Sequence, residues 1–171
     1  ECLRGVELMQ PDRQMAEFAL RKPVGREGAR MQVDRATLRQ DVARTRTEHY
    51  VDIALSEGAT LVTGGKRPAG FDKGFFYEPT LFDNVSNTSR LAQEEVFGPI
   101  CAVIGYDSDE EAIALANDSD VGLTAGFYGS VAEIAWFHEH IEAGVTYANR
   151  AQGATTGAWP GYQPFGGWKG S

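Results

Sequence analysis

Cysteine is scarce: among 171 residues only Cys2 and Cys101 carry a thiol. Two thiols are too few for a disulfide framework and fit a reducing compartment, so a cytoplasmic location is expected. Histidine is nearly as rare, with three residues. His138 and His140 stand two apart and point to different sides of a helix, so the i, i+4 spacing of a helical metal pair is absent. They are read as solvated side chains, His49 as structural, and no metal site is expected. No apolar run is long enough to span a membrane, and no signal-peptide pattern opens the chain; no membrane partner is expected. Positive charge is short as well. The net charge is −8, with 10 Lys/Arg against 8 Asp/Glu in residues 1–50 and 6 against 16 in residues 51–171. An acidic main body disfavours nucleic acid as a partner. In the first fifty residues acids and bases interleave, which marks a solvated face. Internal repeats and low-complexity stretches are absent, and "TGGK" at Thr63–Lys66 lacks the remaining residues of a phosphate-binding loop. The chain starts on Glu1 and stops abruptly at Ser171, and both ends are expected to be artificial.

What is present is ordinary globular composition, 42% apolar and 23% charged, in a chain long enough for one core. Residues 1–34 show no clear period, with Met9, Met15, Phe18 and Leu20 scattered among Pro11, Pro23, Gly25 and Gly28. A helix is expected over Ala36–Glu57, with a stripe of Leu38, Val42, His49, Ile53 and Leu55, and Gly58 just past its end. "ATLVTGG" reads as a strand and turn. "GFFYEPTLFDNV" reads as extended chain at an edge or kinked at Pro79. "ICAVIGY", Ile100–Tyr106, is a continuous apolar run, the mark of a strand covered on both faces.

Ser108 and Glu111, then Ser130 and Glu133, have the spacing of capping boxes at two helix starts. The first helix carries Ala112, Ile113, Leu115 and Ala116 and ends at Asn117 and Asp118. The second carries Ile134, Phe137 and Ile141 on one face and stops at Gly144. Strands follow each helix, at Leu123–Tyr128 and at "VTYAN". The order β-α-β-α-β implies an α/β layer with parallel strands and right-handed crossovers.

In such a sheet the loops after strands carry chemistry. The loop after Asn149, "RAQGATTGAWPGYQPFGGWKGS", holds six Gly, two Pro and four aromatic residues. It is too Gly-rich for a helix and too aromatic for an ordinary linker or a disordered segment, so a functional loop is expected. "QEEVFGPI", Gln93–Ile100, sets two carboxylates before an apolar pair and a Gly-Pro turn. One reading is a helix end turning into a buried strand. The other is a carboxylate placed to accept hydrogen bonds from the vicinal hydroxyls of a ribose, with a ring beside it.

"EEVFGPI", "ALANDSDVGLTAGFY", "IEAGVTYANR" and "PFGGWKGS" stand in the order and spacing of the aldehyde dehydrogenase superfamily, which "GGKRP" and "KGFFYEPTLFDNV" upstream also resemble. The resemblance covers residues 50–171 and implies the C-terminal part of that family's three-layer α/β catalytic domain, incomplete here. Residues 1–49 are expected to be a divergent helical lead-in. By the same resemblance Glu95 binds the nicotinamide ribose of NAD or NADP, Phe97 packs beside the nicotinamide, and Phe165 lines the aldehyde tunnel. "NRAQGATTGAWPGYQPFGG" is similar to the loop of 1-pyrroline-5-carboxylate (glutamate-semialdehyde) dehydrogenases. Its Thr156, Gly157 and Ala158 would offer N–H groups to a substrate α-carboxylate, as successive amides in a Gly turn can; a plain small-residue turn is the alternative. The family's homo-oligomeric assembly is likewise implied, with a small-molecule aldehyde as substrate.

The departures bear equally on function. The family's nucleophile is a Cys in a Gly-Gln-x-Cys context, and neither Cys2 nor Cys101 has it. Cys101 lies inside the apolar run and reads as a small core residue. The Glu-Leu-Gly-Gly-Lys motif of the general base is absent, as is the phosphate-binding half of a dinucleotide fold. The expectation is therefore an oxidoreductase piece that oxidises no aldehyde alone. The alternatives are a non-catalytic α/β binding or assembly module, or a degenerate gene product.

Overall fold

The computed structural model describes residues 6–9, 16–21, 36–37, 41–71, 73–149 and 166–170. Its first strands, β1 (Val6–Met9), β2 (Ala16–Arg21) and β3 (Ala36–Thr37), stand where a helical lead-in was expected. The sequence AEFALR does alternate, with Phe18 and Leu20 two apart, a strand period that the surrounding prolines and glycines obscure. Strand partners from far along the chain then satisfy the backbone of β1, whose residues pair antiparallel with 124–127.

The chain divides into two compact units. One holds Asp12–Ala16 and Val24–Ile104. Its long helix α1 (Asp41–Ser56) starts at Asp41 rather than Ala36. Of the expected stripe only Ile53 is buried; Val42, His49 and Leu55 are exposed, and Leu38 lies outside the described residues. The buried face instead runs through Thr47, Val51 and Ala54, at i, i+4 and i+7. A threonine at the head of that row hid the period. Gly58, at φ +90°, ends the helix as expected.

Strand β4 (Thr60–Thr63) pairs antiparallel with β6 (Thr80–Asp83), and β6 pairs in parallel with β7 (Ile100–Gly105). Between them, β5 (Phe76–Tyr77) pairs with β3. Pro79 sits in the connection from β5 to β6, where no ladder donor is lost. The two glycines of "TGGK" serve a turn: both have positive φ, a Cβ on Gly64 would stand 2.2 Å from the Pro79 carbonyl, and Gly65 N–H donates to Thr80 Oγ1 at 2.8 Å. In β7 the apolar run is buried at Ile100, Cys101, Ala102 and Ile104, as a strand covered on both faces should be. A short helix, α2 (Arg90–Gln93), leads toward it.

The other unit holds Glu1–Pro11, Glu17–Pro23 and Gly105–Ser171. Here α3 (Asp109–Asn117) is followed by β8 (Val121–Gly122) and β9 (Thr124–Phe127), then α4 (Val131–His140), β10 (Val145–Ala148) and β11 (Trp168–Lys169). β9 and β10 pair in parallel across α4, as the β-α-β order predicts. The layer is mixed, however, because β1 lies antiparallel against β9, and β2 antiparallel against β1. Phe137 of α4 stacks on Phe127 of β9 with centroids 5.0 Å apart, both buried. That contact fixes the helix to the sheet.

The two helix starts differ. Ser130 and Glu133 form the full reciprocal capping box. Ser108 Oγ accepts from Glu111 N, but the Glu111 carboxylate reaches past the cap to accept from Asp107 N at 2.7 Å. α4 also ends earlier than expected: its last residue is His140, and Ile141 is the cap. Gly144 therefore does not stop the helix. It admits another backbone, since a Cβ there would stand 1.9 Å from the carbonyl oxygen of Gly166.

Candidate cofactor-binding loop

The E-E-V-F-G-P segment connects α2 to β7, and both its flanks are pinned. Ser89 caps α2 by accepting from Ala92 N, while the Glu57 carboxylate at the end of α1 accepts from Arg90 N at 3.0 Å. On the far side Thr80 N–H donates to the Pro99 carbonyl at 2.8 Å. Val96, in the middle, is 0% exposed and anchors the segment in the core.

The two adjacent acids are treated differently. Glu94 is fully engaged. Its Oε2 accepts from the Tyr50 hydroxyl at 2.8 Å and from Arg90 Nη2 at 2.9 Å, and its Oε1 accepts from Arg90 Nε at 2.7 Å. The bonds from Arg90 and then Tyr50 hold its carboxyl below the ordinary range. Burial, and then the bond to Glu94, push the Tyr50 phenol up. Glu95 is exposed, and among the described residues no hydrogen bond or ion pair occupies its carboxylate. The residue pattern offers two equal acids that only the family resemblance tells apart; the fold commits Glu94 to structure and leaves Glu95 open.

Phe97 is half-buried and adopts φ +51°, a conformation rare for a bulky residue. Such backbone persists only where the surroundings enforce it, and it gathers at functional sites. Two contacts from α1 lie against this turn. The guanidinium carbon of Arg46 lies 6.0 Å from the Phe97 ring centroid. The next residue, Gly98, lies so close to buried Thr47 that a Cβ would stand 2.7 Å from Thr47 Oγ1. Thr47 in turn donates to Ala43 O at 2.9 Å. An open carboxylate followed two residues later by a half-exposed ring fits a ribose diol beside a flat heterocycle. Tyr50, Arg90, Thr47 and Arg46 were not singled out from sequence; only the Arg90–Glu94 spacing of four was a legible sign.

Phe165, Thr156, Gly157 and Ala158 lie outside the described residues. The segment just after them is docked: β11 pairs antiparallel with β8, and Gly170 N–H donates to Asp120 O at 2.8 Å. Lys169 Nζ bonds the Asn117 carbonyl and meets Glu142 Oε2 at 2.9 Å. Cys101 is a buried cysteine in β7. His138, His140 and His49 are exposed; His140 stacks on Trp136, and His138 Nδ1 lies 3.1 Å from Thr146 Oγ1. Among the described residues no group of three His, Cys, Asp or Glu could hold a metal ion, and no helix is long and apolar enough to cross a membrane.

A mixed α/β architecture with this loop between helix and buried strand defines a known class. The sequence pattern of the Aldehyde dehydrogenase family matches residues 13–171, and the chain belongs to that family. The match begins well ahead of residue 50. A betaine aldehyde dehydrogenase from Brucella ovis is 42% identical over 131 residues, which are 74% of this chain and 26% of that protein. A Mycobacterium tuberculosis aldehyde dehydrogenase, solved in complex with NAD+, is 41% identical with a TM-score of 0.71, covering 78% of this chain and 27% of that one. A Thermus thermophilus 1-pyrroline-5-carboxylate dehydrogenase is 37% identical with the same TM-score, covering 78% and 25%. This chain thus spans about a quarter of the length of these relatives.

Proposed function

We propose that this chain carries the cofactor-ribose clamp and part of the substrate tunnel of an NAD(P)+-dependent aldehyde dehydrogenase, with residues 50–171 as the C-terminal part of its catalytic domain. The observation that carries the proposal is the open carboxylate of Glu95 beside a neighbour, Glu94, whose oxygens are already taken. Glu95 accepts hydrogen bonds from the two ribose hydroxyls, and Phe97 packs beside the nicotinamide. The bound cofactor supplies hydride acceptance from the substrate carbon. Phe165 walls the aldehyde tunnel, and the amides of Thr156, Gly157 and Ala158 take a substrate α-carboxylate. L-glutamate γ-semialdehyde is the substrate that such a nest selects, and the 37% identity to the Thermus enzyme is compatible with it. The enzyme works in the cytoplasm as a homo-oligomer.

A second reading, a non-catalytic α/β module, is favoured by one observation: the described cysteine, Cys101, is buried in a strand and positions no nucleophile. Nuclear magnetic resonance of the 171-residue chain tests the clamp. Nicotinamide mononucleotide should shift the amides of Glu95–Gly98, and nicotinamide, which lacks the diol, should not. Glu95→Gln should remove the response. An equal response to both compounds defeats the clamp. The chain alone should form no NADH from NAD+ and aldehyde.

A further inference from the structure

We infer that Tyr50 and Arg90 are positioning residues for Glu95: by occupying both oxygens of Glu94 they fix the backbone that presents the neighbouring carboxylate and the Phe97 ring. The inference rests on the clamp reading above and extends it to residues that touch no ligand.

Two vicinal carboxylates with nothing to distinguish them would repel one another and share any ligand. Here the first is bound on three sides. Arg90 reaches it from one turn earlier with two nitrogens, at 2.7 and 2.9 Å, and Tyr50 reaches it from α1 at 2.8 Å. The Arg90 pair alone is a half-exposed i, i+4 contact and would contribute little. Tyr50 is different, because it is half-buried and comes from a separate element 44 residues away. It ties the start of the loop to α1, the same helix that meets the loop's end through Thr47 at Gly98 and through Arg46 at Phe97. Between those ties lie only Glu95, buried Val96 and the positive-φ turn at Phe97. A strained turn held at both ends keeps its geometry; released at one end, it relaxes toward ordinary φ and swings residue 95 with it. Releasing Glu94 also leaves a second acceptor beside the diol, which blurs the site.

The test compares the 171-residue chain with Tyr50→Phe, Glu94→Gln and Glu95→Gln variants. Three quantities are followed: half-saturation by nicotinamide mononucleotide from the Glu95 and Phe97 amide shifts, hydrogen exchange of residues 95–98, and the unfolding midpoint. Tyr50→Phe keeps the ring and removes one bond; it should raise the half-saturating concentration about three- to tenfold. It should also speed exchange at residues 95–98 while the unfolding midpoint stays nearly unchanged. Glu94→Gln, nearly isosteric, should do the same and serves if Tyr50→Phe folds poorly. Unchanged binding and exchange in both, with binding lost in Glu95→Gln, overturns the positioning role and leaves the clamp standing. Unchanged binding in Glu95→Gln overturns the clamp itself.

Discussion

A Cβ on Gly144 would stand 1.9 Å from the carbonyl oxygen of Gly166 and 2.8 Å from the Gly167 Cα. Neither atom is the end of a flexible side chain, so the contact cannot be relieved by a rotamer change. The tail that follows Phe165 is seated against the body at this point, and β11 then continues along β8. Gly144→Ala is expected to unseat it at a cost of about 2 kcal/mol or more. Urea unfolding and hydrogen exchange at residues 166–170 measure the effect. Gly105→Ala is the control, since nothing lies within 4 Å of a Cβ there; it should stay within about 0.5 kcal/mol.

Gly98 and Thr47 form a second close pair, joining the candidate loop to α1. Thr47 is fully buried and its hydroxyl is committed to Ala43 O. Gly98→Ala would press on that hydroxyl at 2.7 Å and should cost about 1–3 kcal/mol. In a Thr47→Ala background the same change should cost about 1 kcal/mol less, because the clashing oxygen is gone. A double-mutant cycle by thermal or urea unfolding reads the coupling. Zero coupling would mean that the loop is not held by this contact.

The same pair shows what sequence could and could not reveal. The candidate motif it belongs to, "QEEVFGPI", stands out in sequence as a loop between a helix and a buried strand, as do Gly58 at the end of α1, the apolar run of β7 and the parallel βαβ order. These are local signals, in which period, turn residue and cap lie within a few positions of each other. The brace on Glu94 was not legible, because Tyr50 meets it across 44 residues and nothing near either one announces the other. The buried face of α1 departs from the sequence period for a related reason. Its innermost residue is Thr47, which looks polar in sequence and becomes buried because its hydroxyl satisfies itself on its own helix. Gly144 looked like a helix stop because Gly often follows helices, while the constraint that selects it comes from Gly166. Strand β1 of the lead-in depends on a partner more than a hundred residues later, and β3 on β5; there long-range pairing decides the outcome over local pattern.

Unequal consequences are expected at the two helix starts. At α4, Ser130 Oγ accepts from Glu133 N while Glu133 Oε2 accepts from Ser130 N at 2.7 Å. At α3, Glu111 Oε2 takes Asp107 N instead of the cap's own N–H. Ser130→Ala should cost about 1 kcal/mol, with faster exchange in the first turn of α4. Glu133→Ala should expose the Ser130 amide, whereas Glu111→Ala should leave the Ser108 amide unaffected and expose that of Asp107. Amide exchange at these three residues distinguishes the two arrangements.

Tyr77 is expected to contribute to a loss of stability at alkaline pH. It is 2% exposed, and burial, reinforced by the nearby carboxylates of Glu48 and Asp52, pushes its phenol up to about 12 from an ordinary 10.0. Arg67 opposes this shift but is itself bound to Glu48 at 2.6 Å, so part of its field is cancelled. The folded chain holds its proton more tightly than the unfolded chain. The resulting stability is therefore complete below pH 10 and is lost as pH rises toward 12. Tyr77→Phe keeps the ring in the core and removes the titration, so its stability should fall less steeply across that window. Tyr50, whose phenol is also raised, should contribute to the residual slope. Urea unfolding at pH 8, 10 and 11 compares the slopes. Equal slopes in parent and variant would show that the Tyr77 hydroxyl titrates as if it were in water, and that burial in β5 does not shield it.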